Sequence, residues 1–181
     1  MNDLTTRLLT GSAAGFAASG PMAIFMEALI PAVSDEERDP PPPRQITQRA
    51  AETVGVEDEM SDDSVEAATM VNHFGYGTTA GMVYGAVAES IPLPPVARGI
   101  GFGLALWAGG YLGWLPASGM YRSATREPAG RNAVIVAAHI LWGGLLGWIE
   151  HDLARASQSR TPRQAAPHHT MRSASTAASA K

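Results

Sequence analysis

Residues 67–88 read AATMVNHFGYGTTAGMVYGAVA, 22 positions without an Asp, Glu, Lys or Arg. As a helix rising about 1.5 Å per residue, the stretch measures about 33 Å, close to the ~30 Å of a bilayer's hydrocarbon core. Three more uncharged stretches, Leu8–Met26, Gly99–Tyr121 and Asn132–Ile149, gather most of the remaining apolar residues. The pattern predicts an all-α polytopic membrane protein, a bundle of four transmembrane helices spanning about 8–30, 67–91, 99–121 and 132–150. A helix of a soluble core carries charge opposite its apolar stripe, whereas these runs are uncharged all round. A cleaved signal peptide is the alternative for the first stretch. Asp3 weakens its basic region and the apolar run continues to Ile30, so a retained span is expected.

Whole-chain averages hide this pattern. Mean hydropathy is −0.02 because polar connections dilute the spans. The 181-residue chain divides into a four-span domain, 1–155, with an acidic loop at 31–66, and a disordered basic tail, 156–181. The segment Pro31–Glu66 carries eleven acids against Arg38, Arg44 and Arg49, and after Asp152 only bases follow. Absence of cysteine excludes disulfides, thiolate metal sites and cysteine nucleophiles. No phosphate loop follows a strand, no zinc-ligand spacing appears, and the GxGxG at Gly99–Gly103 lies inside an apolar span. Neither a metal nor an enzymatic reaction is expected. The expected partners are the lipid bilayer and a second copy or another membrane protein, and not nucleic acid.

The connections are also informative. Pro21 interrupts the backbone ladder of the first span and predicts a kink, and Pro31 ends it. Prolines 40–43 predict an extended, solvated strap across Asp39–Arg44, leading to a short amphipathic helix at Ile46–Val54 on the membrane surface. Ser61 is an N-cap candidate, followed by Asp62 and Asp63 in the first turn, where the helix dipole favours carboxylates. The stiff Pro92–Pro95 turn predicts that spans two and three are antiparallel neighbours, and the Arg122–Arg131 connection predicts the same of spans three and four. An even span count puts both termini on one side, and the bases after the last span favour the cytoplasm for them and the outside for the acidic loop.

Small residues recur four apart in every span: Gly11, Gly15 and Ser19; Gly77, Gly81 and Gly85; Gly99 and Gly103, then Gly109 and Gly113; Gly143 and Gly147. Such spacing lines one helix face and lets helix backbones approach, the main packing device where lipid is as apolar as the neighbouring helix.

Ionisable groups at membrane depth are costly and need partners. Glu27, His73 and His139 fall at similar depth on the acidic-loop side, with Asn72 beside them, and form one candidate polar layer. Three readings are open for it: imidazoles bonded within the bundle, a proton or ion relay, or a bis-histidine haem. On the opposite side Glu89 ends span two and Glu150 with His151 ends span four, with Asp152 and Arg155 near enough for solvated end pairs. Trp148 suits the headgroup region, and Trp107, Trp114 and Trp142 are packing or pore-lining candidates.

An ordered set of residues runs through the last three spans: His73-Phe74, Tyr84, Val87-Ala88-Glu89, Pro92, the glycines after Arg98, Trp107, Leu112-Gly113, Pro116, His139-Ile140, Trp142, Glu150 and Asp152-Leu153. In this set, and in a first span ending at Glu27 with Pro-Pro-Arg before Gln45, the chain resembles the YagU-like family of uncharacterised bacterial inner-membrane proteins over about Gly11–Leu153. The resemblance implies a multi-pass protein of the bacterial inner membrane and carries over no reaction or cofactor. The expected function is therefore a non-enzymatic inner-membrane component with an external acidic interaction loop. A proton-linked transporter or channel subunit using Glu27, His73 and His139 is the alternative, and a haem-binding redox subunit the third.

Overall fold

In the computed structural model, residues 3–29, 33 and 39–159 are described, and among them every regular element is helical. The expected tail beyond Ser159, with His168 and His169, and most of the 30–38 connection lie outside the described residues. All four apolar stretches are helices. The first lies in α1 (Asp3–Leu29), which runs on through Pro21, and the second in α3 (Asp62–Val87). The third is a continuous helical path made of α4 (Pro95–Ala108), one π-helical segment (Gly109–Trp114) and the single turn α5 (Leu115–Ala117). The fourth lies in α6 (Ala129–Ser159), which carries helix past Ser157 where a disordered tail was expected.

Local chemistry explains the boundaries. Ser61 caps α3, its hydroxyl accepting the Ser64 amide at 3.2 Å, ahead of Asp62 and Asp63. The amphipathic helix α2 spans Pro42–Val54. It begins earlier than the proline run predicts, because a first helical turn needs no amide donors and the proline φ is already helical. Pro42 is consequently buried, not solvated. Gly55 ends α2 at φ 72°, a left-handed conformation that glycine takes without penalty, while the Val56 amide closes back on the Ala51 carbonyl at 3.1 Å.

The bundle is two interlocked antiparallel pairs. In one, α1 packs on α3; in the other, α4 packs on α6; α1 against α6 joins them. This differs from the expected pairing of spans two and three: α3 and α4 are joined by the Pro92 turn and meet through only a few side chains, such as Tyr84 and Phe102 with ring centroids 5.3 Å apart. The glycines decide the pairing. A Cβ on Gly11 would overlap the Gly81 carbonyl oxygen and lie 2.9 Å from Gly85 Cα, and one on Gly15 would overlap the Gly77 carbonyl oxygen. In the second pair a Cβ on Gly99 would overlap the Gly143 carbonyl oxygen, and one on Gly147 that of Pro95. Backbone therefore rests on backbone along both seams. Gly109 and Gly113, expected on the same kind of face, have open space where a Cβ would stand, because the π-helical segment shifts the register and turns them off the seam.

Many large apolar side chains point outward. Phe16, Ile24, Val71, Val83, Leu112 and Trp148 are exposed, while Gly11, Gly15 and Gly81 are buried in the α1–α3 seam and Ala14, Ala18 and Ala80 join Met22, Tyr84, Trp142 and Leu146 in the core. Two of the helices, α1 and α6, are long and apolar enough to cross a membrane by length and composition.

The seam has a direct consequence. Gly81→Leu forces side-chain volume between two backbones and should destabilise the bundle by about 1–3 kcal/mol or more. Val83→Leu, at an exposed position two residues away, should stay within about 0.5 kcal/mol. Thermal aggregation of both variants in detergent checks the contrast, and equal midpoints would contradict the seam.

Candidate functional site

A cavity of about 300 Å³ lies inside the bundle at the end where α1 finishes and α3 and α6 begin. Every main helix contributes to its wall: Met22 and Met26 from α1, His73 and Tyr76 from α3, Leu106 from α4, and His139 and Trp142 from α6. The π-helical segment supplies Gly110, Tyr111 and Trp114. A π-helical turn inserts an extra residue into a helix and is frequent at functional sites. Helix α2 is the roof, presenting Pro43, Ile46, Thr47 and Ala50 to the cavity.

Hydrogen bonds fix the polar members of the wall. A ring nitrogen facing a carbonyl oxygen must donate, so His73 Nε2 donates to Ser19 O at 3.2 Å and His139 Nδ1 to Ile135 O at 2.8 Å. Trp142 Nε1 donates to Gly15 O across the α1–α6 contact at 3.4 Å. Tyr111 stands edge-on to the His139 ring, 5.8 Å between centroids. Asn72 Nδ2 donates to Thr47 Oγ1 at 3.3 Å, tying α3 to the roof.

The structure thus brings His73, His139 and Asn72 to one cavity. Glu27 is different: it is exposed near the end of α1 and is not part of the lining. For the haem reading, the relevant observation is that His73 Nε2, the nitrogen an axial ligand offers most readily, is committed to the Ser19 carbonyl.

A buried cluster that the sequence reading missed holds the roof in place. Arg131, counted there only as a loop charge, is 2% exposed at the start of α6. Its guanidinium donates to the carbonyls of Asp39 at 2.7 Å and Pro40 at 2.6 Å, the residues leading into α2, and to the Tyr121 hydroxyl at 3.3 Å. Glu127, whose side chain is fully buried, sits between Arg131 at 3.2 Å and Arg122 at 3.0 Å, in ionic contacts whose angles fall short of hydrogen bonds. Arg122 reaches on to Asp39, and that bond holds its guanidinium proton even more firmly than usual. The one available signal was the Glu127/Arg131 spacing of four at a helix start. Exposed contacts add to the roof's attachment, Arg44 to Asp62 at 2.8 Å and Arg49 to the Gly119 carbonyl at 3.3 Å.

At the opposite end of the bundle Glu150 is not a solvated end pair. It is 4% exposed and meets Arg98 at 3.4 Å, and Arg98 also donates to the Tyr84 hydroxyl at 3.0 Å and the Ala88 carbonyl at 3.1 Å. This cross-brace joins α3, α4 and α6 where the short turn brings α3 and α4 together. Glu89 pairs with Arg7 across the α1–α3 seam. His151 is partly exposed on the last turns of α6.

These features define a protein that is helical throughout its described elements, with many apolar residues outward, glycine seams inward and a cavity within the bundle. The family model for a protein of unknown function (DUF1440) matches residues 18–147. The chain belongs to this family, and the matched residues include both histidines and most of the cavity wall. Neither a curated protein nor a solved structure matches it.

Replacing Arg131 by Met should loosen the Asp39–Pro40 strap and leave the buried Glu127 with Arg122 as its only cation among the described residues, a loss of about 3 kcal/mol, at the low end for a broken buried pair. Hydrogen exchange should accelerate first in residues 42–54, with α1 and α3 protected as before. Simultaneous loss of protection in α2 and in both seams would show that Arg131 supports the whole bundle and not the roof.

Proposed function

We propose that the protein is a four-span, multi-pass component of the bacterial inner membrane, of the YagU-like kind, and that it binds a neutral, largely apolar small molecule in the cavity beneath α2. The observation that carries the membrane part is the set of bulky apolar groups, such as Phe16, Ile24, Val71 and Trp148, on the outside of a bundle whose helix seams are lined by glycine. In water those outward groups would leave a broad apolar surface exposed. In lipid it is favourable, since helix contacts there are won by close backbone packing. The path Pro95–Ala117 belongs to the same argument, for its π-helical segment divides one membrane-length helix into two shorter α pieces.

The cavity supports binding over proton relay. The relay as expected exchanged protons between the imidazoles and Glu27, and neither Glu27 nor any other acidic side chain is among the described residues that line the cavity. The acidic loop has a structural part as well. Its second half forms α2 and the capped start of α3, so the proposed external interaction surface is continuous with the roof of the cavity.

Two measurements test the membrane reading. After alkaline carbonate washing the protein should remain with the membrane fraction. Single cysteines replacing Glu57 and Ser159, in a chain that has none, should be labelled by an impermeant reagent from the periplasmic side only at position 57. Labelling at 159 alone would invert the topology, and labelling at both would contradict the three crossings proposed between the two positions.

A further inference from the structure

The polar groups of the cavity restrict what can enter it. Among the described residues no Asp, Glu, Lys or Arg contributes to the lining, so a charged ligand would lose its water and find no counter-charge in that wall. The site suits a neutral molecule. Most side-chain donors of the wall are already committed: Ser19 Oγ and Trp142 Nε1 to the Gly15 carbonyl, Asn72 Nδ2 to Thr47, His73 Nε2 to the Ser19 carbonyl and His139 Nδ1 to the Ile135 carbonyl. Each neutral imidazole then keeps one lone pair, on Nδ1 of His73 and on Nε2 of His139. What these rings can still do is accept.

Shape narrows the ligand further. Tyr76, Tyr111, Trp114 and Trp142 place four aromatic side chains around the cavity, a wall suited to stacked and edge-on contacts with a flat ring. About 300 Å³ is at the small end of ligand pockets and leaves room for one or two fused rings, not a long chain. A flat, neutral molecule with a hydroxyl donor meets all three conditions.

We propose that the cavity binds a compact phenol, its ring among the aromatic side chains and its hydroxyl donating to Nε2 of His139. His139 is the more deeply buried of the two histidines, at 7% exposure, so a hydrogen bond there competes least with water. His73 is the second acceptor, available to a ring diol. This assignment rests on the cavity being a binding site.

Equilibrium dialysis of the full chain in lipid nanodiscs tests it, with 2-naphthol and 2-methoxynaphthalene as probes and empty nanodiscs subtracted for partition into lipid. The two probes have nearly the same ring and differ in the donor. Both should bind saturably, 2-naphthol about tenfold more tightly, the worth of one buried hydrogen bond. His139→Leu should bring the two affinities within about twofold while 2-methoxynaphthalene still binds. Nitrogen-15 spectra of the unaltered protein should show the His139 Nε2 resonance moving with 2-naphthol and not with its methyl ether, a readout independent of how the variant folds. Equal affinities with an unmoved Nε2 resonance would overturn the phenol assignment and leave the cavity a binding site for apolar molecules. Discrimination that survives both His139→Leu and His73→Leu would overturn the assignment of the acceptor. Failure of both probes to bind saturably would overturn the binding reading itself.

Discussion

Backbone resting on backbone along two glycine seams is the contact on which the rest of this protein depends. With Gly11 and Gly15 against Gly77, Gly81 and Gly85, the α1 and α3 chains approach until a single added methyl would overlap a carbonyl oxygen. Gly99 and Gly103 meet Gly143 and Gly147 in the same way. Close seams draw each pair of helices tightly together at the Pro92 end, and large residues are left for the outside and for the cavity at the other end. There Met22, Tyr111, Trp114 and Trp142 line the space between the helices. The cavity is therefore the counterpart of the seams.

Two buried guanidinium clusters close the ends of this frame. Arg98 ties Tyr84, the Ala88 carbonyl and Glu150 together, which fixes the two pairs relative to each other where their seams are tightest. Arg131 holds the strap before α2 and so keeps the roof over the cavity. Arginine suits both tasks, since its planar fork can satisfy several acceptors at once and remains charged. Ion pairs of this kind add little net stability compared with apolar packing, but removing one partner strands a buried charge. They specify arrangement more than they stabilise it.

The functional reading follows from that division of labour. A pair of glycine seams, a roof attached by a few polar contacts and an aromatic-lined cavity with two histidines in its wall are the features on which the proposed binding chamber rests. Family membership places the chain among proteins of unknown function, so the chemistry of the wall carries the argument.

Helix formation, the uncharged stretches and the glycine spacing were all legible in the sequence, because each is a local property: periodicity, composition, and caps such as Ser61 or the proline start of α2. The equal depth of His73 and His139 was legible too, since depth follows from counting along a helix. Which stripe docks on which was not. Chain proximity suggested α3 beside α4, but the seam is won by the pair whose glycines can align over their length, and only the assembled bundle shows that α1 meets α3 and α4 meets α6. Depth also grouped Glu27 with the histidines, yet depth does not fix the direction in which a side chain leaves its helix, and Glu27 faces outward. Arg131 looked like a loop charge because its partners are backbone carbonyls some ninety residues away. The sequence by itself determined the helices and their inward faces; tertiary structure decided their partners, the roof and the cavity, because those depend on contacts between residues that no local pattern brings together.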